Sequence, residues 1–170
     1  MRFDVRSATD RWPAAVRPWS LARRSGIAHA EAADYWSQWR LRLGIPSVVI
    51  AAAVAAVTTM PFPGHYYVAA IASATVAALT ALLTFLNPAE RAGAHRQASR
   101  QYQELSRRLE MLINQVVQSR ARTDPTDDQT NQLNDLERQV IQTLQGSPDL
   151  PPTINRKFME GKNTRSESAP

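Results

Sequence analysis

Three histidines, His29, His65 and His95, are the residues best suited to proton transfer or metal binding in this chain of 170 residues. They are scattered along the sequence, and none stands in a motif with metal-ligand spacing. The chain has no Cys, which excludes disulfides and thiolate metal sites. His95 follows Arg91 by one helical turn and precedes Ser99 by another, as expected of a helix-surface or packing histidine. We therefore predict no catalytic residue, no metal site and no cofactor.

The acidic and basic residues also lack an arrangement for chemistry. Asp124, Asp127 and Asp128 lack the Gly and terminal Glu of a calcium loop, so we interpret them as a turn with helix-capping carboxylates. No Gly-rich phosphate loop, nucleophile elbow or HExxH motif is present, and we predict that the protein is not an enzyme. A net charge of +5 suits nucleic acid or an anionic membrane. Nucleic-acid binding requires exposed aromatic residues among the basic ones, and the C-terminal half offers just Tyr102 and Phe158, which favours the membrane.

Residues 43–89 form an uncharged block that contains no Asp, Glu, Lys or Arg. Two apolar runs, 43–60 and 66–86, are separated by a Pro- and Gly-bearing turn at 61–65. A helix rises about 1.5 Å per residue, so roughly 20 residues cross a hydrocarbon core about 30 Å thick. We predict two transmembrane helices joined as a hairpin, with the lipid bilayer as partner. A soluble Ala-rich helical hairpin is the alternative, because alanine is only weakly favourable in a membrane.

Each predicted span divides into a face of small residues and a face of bulky ones. In the second span the small, hydroxyl-bearing face consists of Ser73, Ala77, Thr80 and Thr84. In the first span the small face includes Ser47, Ala51 and Ala55, whereas the bulky face consists of Leu43, Ile50, Val54 and Val57. Small residues allow two helices to approach closely in lipid, so these faces are candidates for packing the hairpin together. The hydroxyl-bearing face is also a candidate pore lining in an oligomer.

The segment 27–42 is predicted to be an interfacial lead-in helix. Trp36 and Trp39 stand within two turns of the first span, and Trp prefers the membrane–water interface; core aromatics of a soluble helix are the alternative. Arg91 and Arg96 follow the second span, where anionic headgroups would attract them. Basic residues flank the block on both sides and are absent from the turn, so the positive-inside rule places both termini in the cytoplasm.

The N-terminal 26 residues are rich in Arg and carry several Pro, Gly and Ser residues without a sustained period. We expect this stretch to be irregular, with Trp12 and Trp19 resting at a membrane surface. The apolar block begins too far from Met1 for an ordinary secretory signal, so the N-terminus is interpreted as mature chain.

A second helical region follows the membrane block. Asn87-Pro88-Ala89-Glu90 is typical of a helix start. A heptad seam follows at Tyr102, Leu105, Leu109, Leu112 and Val116, which fits a helical hairpin or a short oligomeric coil. Thr126 and Gln129 can cap a second helix, which ends at Gly146. Its apolar face consists of Leu133, Leu136, Val140, Ile141 and Leu144.

The predicted fold class is an all-α membrane protein with a two-helix transmembrane hairpin followed by a cytoplasmic amphipathic helical hairpin. Its parts are an irregular N-terminus (1–26), the lead-in helix (27–42), transmembrane helix 1 (43–60), an external turn (61–65), transmembrane helix 2 (66–86), the cytoplasmic helical hairpin (88–146), and a Pro-rich exit with a disordered tail (147–170).

Four stretches in this order resemble one family. They are the lead-in Tyr35-Trp36-Ser37-Gln38-Trp39-Arg40, the run from Phe85 to Arg96, Tyr102-Gln103-Glu104-Leu105, and the exit Ser147-Pro148-Asp149-Leu150-Pro151-Pro152. The chain resembles the SLATT family of bacteria, the SMODS- and SLOG-associating two-transmembrane effectors, over roughly residues 32–152. The most specific parts are the register of Arg91, His95, Tyr102 and Leu105 and the proline-rich exit.

The resemblance implies a membrane effector of a nucleotide-signalled conflict or defence system that oligomerises and permeabilises the inner membrane. It also implies a separate partner protein that synthesises or senses the nucleotide signal. The residues themselves leave two other functions open. One is a non-permeating anchor or scaffold that recruits a cytosolic partner through its cytoplasmic helices, and the other is a phage-type lysis protein. We predict a homo-oligomer and no nucleic-acid partner.

Overall fold

A computed structural model describes residues 12–59, 64–118 and 126–158. Four main helices follow one another: α1 (Pro13–Thr58), α2 (His65–Leu86), α3 (Pro88–Gln118) and α4 (Asp127–Gly146). A short helical segment at 152–158 comes after them, and these described residues contain no strand. The all-α prediction is confirmed. Two helical stretches, within Pro13–Thr58 and His65–Val117, are long and apolar enough to cross a membrane.

Helix α1 corrects the prediction of an irregular N-terminus. It begins at Pro13 and continues to Thr58 without a break at 26 or 42, so the lead-in helix and the first apolar run are one element. Pro13 occupies the first helical position, where the missing N–H removes no intrahelical bond. Tertiary burial outweighs the weak local propensity, because most helical stability in proteins comes from packing of an apolar face. Residues 1–11 of the predicted irregular stretch lie outside the described residues.

The packed face of this first half of α1 recurs at helical spacing, with Trp12, Ala15, Trp19 and Ala22 all buried. The expectation that the two tryptophans rest at a membrane surface is therefore wrong. The Pro and Ser residues between them concealed a regular three-and-four spacing, which places large aromatic rings on one side of the helix.

The chain divides into two structural units. The first, Met1–Ala32 with Ala94–Pro170, contains the first half of α1, most of α3, and α4. Its core joins those three helices and consists of Trp12, Ala15, Trp19, Ala22, Ala98, Tyr102, Leu105, Leu109, Leu112, Ile113, Val116, Leu133 and Val140. The Tyr102 hydroxyl lies 3.2 Å from the hydroxyl of Ser147, which follows α4. A residue in the middle of α3 therefore contacts the residue that follows α4.

Helix α4 uses a narrower face than the sequence predicted. Leu133 and Val140 are buried and Leu136 is half-buried. Ile141 and Leu144 are instead 45% and 49% exposed. Ile141 stands one position past Val140, about 100° further around the helix, whereas Leu144 follows Val140 by one turn and lies near the end of α4.

The predicted starts of α3 and α4 and the predicted end of α4 agree with the structure. Asn87 adopts the left-handed conformation (φ 40°, ψ 56°) between α2 and α3, which Asn tolerates better than most residues. Its side-chain amide donates to the Glu90 carboxylate. At the start of α4, Thr126 and Gln129 form a complete capping box, with bonds of 2.9 and 3.3 Å. Helix α4 ends at Gly146.

The second unit, Ala33–Gly93, contains the second half of α1, helix α2 and the first turn of α3. In each of the two long helices, the residues with reduced exposure recur at three-and-four spacing and therefore lie on one face. On α1 the covered residues are Leu43, Ser47, Ile50, Val54 and Val57. On α2 the half-buried residues are Ala69, Ala72, Val76, Leu79, Leu83 and Leu86.

Candidate functional site

Helix α2 is an apolar helix with no buried residue. Its large side chains lie open, with Ile71 70% and Phe85 84% exposed. Soluble proteins seldom leave so continuous an apolar surface uncovered, because exposed apolar area is costly in water. Within a helix every interior N–H and C=O is bonded, which is the condition for a segment to lie in hydrocarbon. The composition and exposure of α2 both fit lipid as its surroundings.

The hydroxyl-bearing face of α2 is not the face that the chain covers. Ser73, Ala77, Thr80 and Thr84 are all exposed. The covered face lies one position away and carries Val76, Leu79 and Leu83 among others. Within one chain these four residues of α2 are therefore uncovered, whereas Ser47 of the small face on α1 is buried. Larger side chains make more van der Waals contacts, which favours them at the covered face.

The threonine hydroxyls of α2 are satisfied inside their own helix. Thr80 Oγ1 donates to the carbonyl of Val76 at 2.8 Å, and Thr84 Oγ1 donates to the carbonyl of Thr80 at 2.9 Å. Thr75, on the opposite side of the helix, donates to Ile71 at 3.0 Å. A hydroxyl that bonds its own helix costs less in an apolar environment than a free one, and its oxygen can still accept a bond. This face can lie against lipid, against another helix or against water.

The predicted interfacial residues form a cluster where α1 and the start of α3 meet. The Arg91 guanidinium lies over the Trp36 ring, 4.7 Å from its centroid. Tyr35 packs edge-on against Trp36 at 5.6 Å and against Trp39 at 6.3 Å. A guanidinium at this distance from an indole is attracted by the negative ring face, an interaction worth about 0.5–2 kcal/mol. Three of the four predicted interfacial residues are thus brought together, whereas Arg96 is an exposed residue of the other unit.

The predicted heptad seam lies inside the first unit. All five seam residues, Tyr102, Leu105, Leu109, Leu112 and Val116, are buried. They share a core with tryptophans of α1 and with two residues of α4. Of the two arrangements that the seam allowed, the intramolecular one is present. An oligomeric coil through the same residues would require this core to open.

A cluster of polar residues joins α1 to α3, and of its members only Tyr102 was among the predicted site residues. The Nδ1 atoms of His29 and His95 lie 3.0 Å apart, and both side chains are buried. The His29 ring stacks on Tyr102, with centroids 5.5 Å apart and planes 12° from parallel. One turn away, Ser99 Oγ donates to the carbonyl of Gly26 at 2.9 Å. We call His29, His95 and Tyr102 the histidine cluster.

The two histidines are 66 residues apart in the sequence, so helical spacing within either helix does not pair them. With the helix extended backwards, Ala22, Gly26 and His29 fall on one face. A Cβ atom added to Gly26 would stand 3.3 Å from the Tyr102 Cβ, so glycine is what lets the two helices approach this closely. His95 is a packing histidine with a specific partner rather than a helix-surface residue.

The cluster is built to stay neutral. Two Nδ1 atoms at 3.0 Å share one hydrogen, so one ring donates and the other accepts. Burial, reinforced by the charge of His95, lowers the pKa of His29 from 6.5 to about 4. Burial also lowers the pKa of His95. Burial raises the pKa of Tyr102, although its hydrogen bond with Ser147 opposes this shift. Within the described residues, no group of three or more His, Cys, Asp or Glu side chains could hold a metal ion.

The fold and these surfaces define a helical protein with two candidate membrane helices and a separate helical core. No family model, curated protein or solved structure matches the chain. What the protein does must therefore be argued from the surfaces just described.

Proposed function

We propose that the second half of α1 and helix α2 both span the inner membrane as a hairpin, with both termini in the cytoplasm. The observation that carries this proposal is that α2 is apolar and has no buried residue. The positions of the basic residues support the orientation, since eight arginines precede Leu43 and twelve Lys or Arg residues follow Ala89.

A carbonate wash tests insertion directly. Membranes from cells expressing the chain are washed at high pH and then separated from the supernatant. We expect the intact protein in the membrane pellet, because two spanning helices withstand the removal of electrostatic contacts. Release of the intact protein into the supernatant would refute the membrane proposal and everything that depends on it.

We propose further that the protein is an effector that self-associates in the membrane and permeabilises it when triggered. The exposed face of Ser73, Ala77, Thr80 and Thr84 supports this proposal, because it is uncovered within one chain and combines small size with hydroxyl acceptors. The buried seam in the first unit favours self-association through the membrane helices instead. The resemblance to the SLATT family supports a nucleotide signal, made or sensed by a separate protein, as the trigger.

A measurement of membrane potential tests whether the hydroxyl-bearing face of α2 lines a pore. We expect induced expression, under the activating condition, to collapse the potential reported by a voltage-sensitive dye. The double variant Thr80→Leu/Thr84→Leu should abolish the collapse and still insert, because leucine removes the hydroxyls and fills the space beside them. Thr75→Leu is the matched control, since Thr75 makes the same type of intrahelical bond on the opposite side of α2. Continued leakage in the double variant would remove this face from the pore.

The alternative function is a non-permeating scaffold that recruits a cytosolic partner. The exposed Ile141 and Leu144 on α4 favour it, because a partner helix could cover them. Unchanged membrane potential under the activating condition, together with loss of a bound partner on Ile141→Ser/Leu144→Ser, would support the scaffold over the effector.

A further inference from the structure

The second unit contains an apolar groove that the chain itself leaves unfilled. Its volume is about 520 Å³. Gly44, Ile45 and Val48 of α1 form one wall, and Leu83 and Pro88 form the other. Ile45 and Val48 remain 59% and 70% exposed, so the groove is open to a ligand. The volume falls within the roughly 300–1,000 Å³ typical of small-molecule sites.

One end of this groove carries a single cation. Arg40 lines the groove one helical turn before Gly44, at the same end as the junction between α2 and α3. Arg40 takes part in no ion pair among residues 12–59, 64–118 and 126–158. Glu90, the acidic residue of that junction, is engaged by the Asn87 side chain. The groove therefore combines an apolar lining with one guanidinium, that of Arg40, at its end.

We propose that this groove binds one anionic phospholipid of the bilayer. Its acyl chain would lie along Ile45, Val48 and Leu83, and its phosphate would meet Arg40. Guanidinium groups bind phosphate through paired, charge-assisted hydrogen bonds. The proposal rests on the membrane location in the proposed function, and it does not depend on permeabilisation.

A second copy of the chain fits the groove less well. Copies in one membrane share one orientation, so a neighbour would bring its own Arg40 and Arg42 to the same depth. Like charges at that position repel each other. An anionic lipid supplies the opposite charge and the apolar chain together.

The test uses glycine variants that fill the groove. A Cβ atom at Gly44 meets nothing within 4 Å, so Gly44→Phe places a ring in the groove without backbone strain. Gly93→Phe is the matched control, because Gly93 is also a helical glycine of this unit with nothing within 4 Å. Arg40→Gln removes the positive charge and leaves the apolar lining of the groove unchanged. Each full-length variant is first shown to insert by carbonate washing and to be helical by circular dichroism.

Native mass spectrometry then counts phospholipids retained by the detergent-solubilised chain after exposure to phosphatidylglycerol or phosphatidylcholine. We expect the unaltered chain and Gly93→Phe to retain one phosphatidylglycerol at least fivefold more than phosphatidylcholine. Gly44→Phe should retain neither, and Arg40→Gln should retain both equally.

Equal retention of the two lipids by the unaltered chain, or undiminished phosphatidylglycerol on Gly44→Phe, would overturn the lipid site. Loss of a dimer by Gly44→Phe with unchanged lipid retention would assign the groove to a second copy and overturn it as well. A chain that inserts and permeabilises without any lipid preference refutes the lipid site alone, whereas release by carbonate refutes both proposals.

Discussion

The histidine cluster makes the free energy of unfolding depend on pH, because the buried His29 stays unprotonated in the folded chain at pH values where it is protonated in the unfolded chain. Below pH 6.5 the unfolded chain protonates His29, whereas the folded chain does not until about pH 4. The unfolded state thus binds more protons in this window, and stability falls as the pH falls through it. Each pH unit costs about 1.4 kcal/mol for one such proton, which is about 2 kcal/mol between pH 6.5 and 5.

We predict that His29→Asn reduces this acid sensitivity. The Asn amide stands where Nδ1 stood and can still bond His95, but it does not titrate. Denaturant unfolding of the detergent-solubilised chain, followed by tryptophan fluorescence from pH 7.5 to 5, measures the slope. His65→Asn serves as the control, because His65 lies in the other unit and outside the cluster. Parallel slopes for His29→Asn and the unaltered chain would exclude the cluster as the source.

The close approach at Gly26 gives a second prediction at the same scale. We expect Gly26→Leu to destabilise the first unit by about 1–3 kcal/mol, because its side chain would overlap Tyr102. Gly93→Leu should instead stabilise by up to about 1 kcal/mol, since replacing an exposed helical glycine raises helix propensity. Unfolding midpoints of the two variants provide the comparison, and equal shifts would show that Gly26 is not a contact point.

At the scale of elements, the caps and the apolar block could be predicted because their causes are local. Asn87-Pro88 and Thr126–Gln129 determine helix starts through bonds within four residues. The first half of α1 could not be predicted in this way. Its helix depends on Trp12 and Trp19 packing against α3 and α4, far away in the sequence. The histidine pair was missed for the same reason, because its two members are 66 residues apart.

We predict that Trp19→Ala destabilises the first unit by about 3–5 kcal/mol, the usual cost of removing a large buried ring. Trp39→Ala should cost far less to that unit, because Trp39 is a half-buried residue of the other one. Denaturant unfolding monitored by circular dichroism reports both. If Trp19→Ala unfolded at the same denaturant concentration as the unaltered chain, α1 would not be part of the core.

At the scale of the whole molecule, the apolar surface is unevenly distributed. The first unit buries its large apolar residues among three helices, and the second leaves α2 without a buried residue. The two units thus suit different solvents, one water and the other lipid. This difference explains why the mean hydropathy of the whole chain, −0.36, resembles that of a soluble protein although residues 43–89 are uncharged. A mean hydropathy taken over both units does not reveal the apolar block at residues 43–89.

The orientation of the chain can be measured because the sequence has no Cys. We predict that a single cysteine at His65→Cys, at the first residue of α2, reacts with a membrane-impermeant maleimide in intact cells. A single cysteine at Gln101→Cys, exposed on α3, should react only after the cells are lysed. The proposed topology, with two spans, the turn outside and the first unit in the cytoplasm, requires this pattern. Labelling of Gln101→Cys in intact cells, with His65→Cys protected, would invert the topology. The arginine-rich ends would then lie outside, where no anionic leaflet or signalling partner in the cytoplasm could reach them.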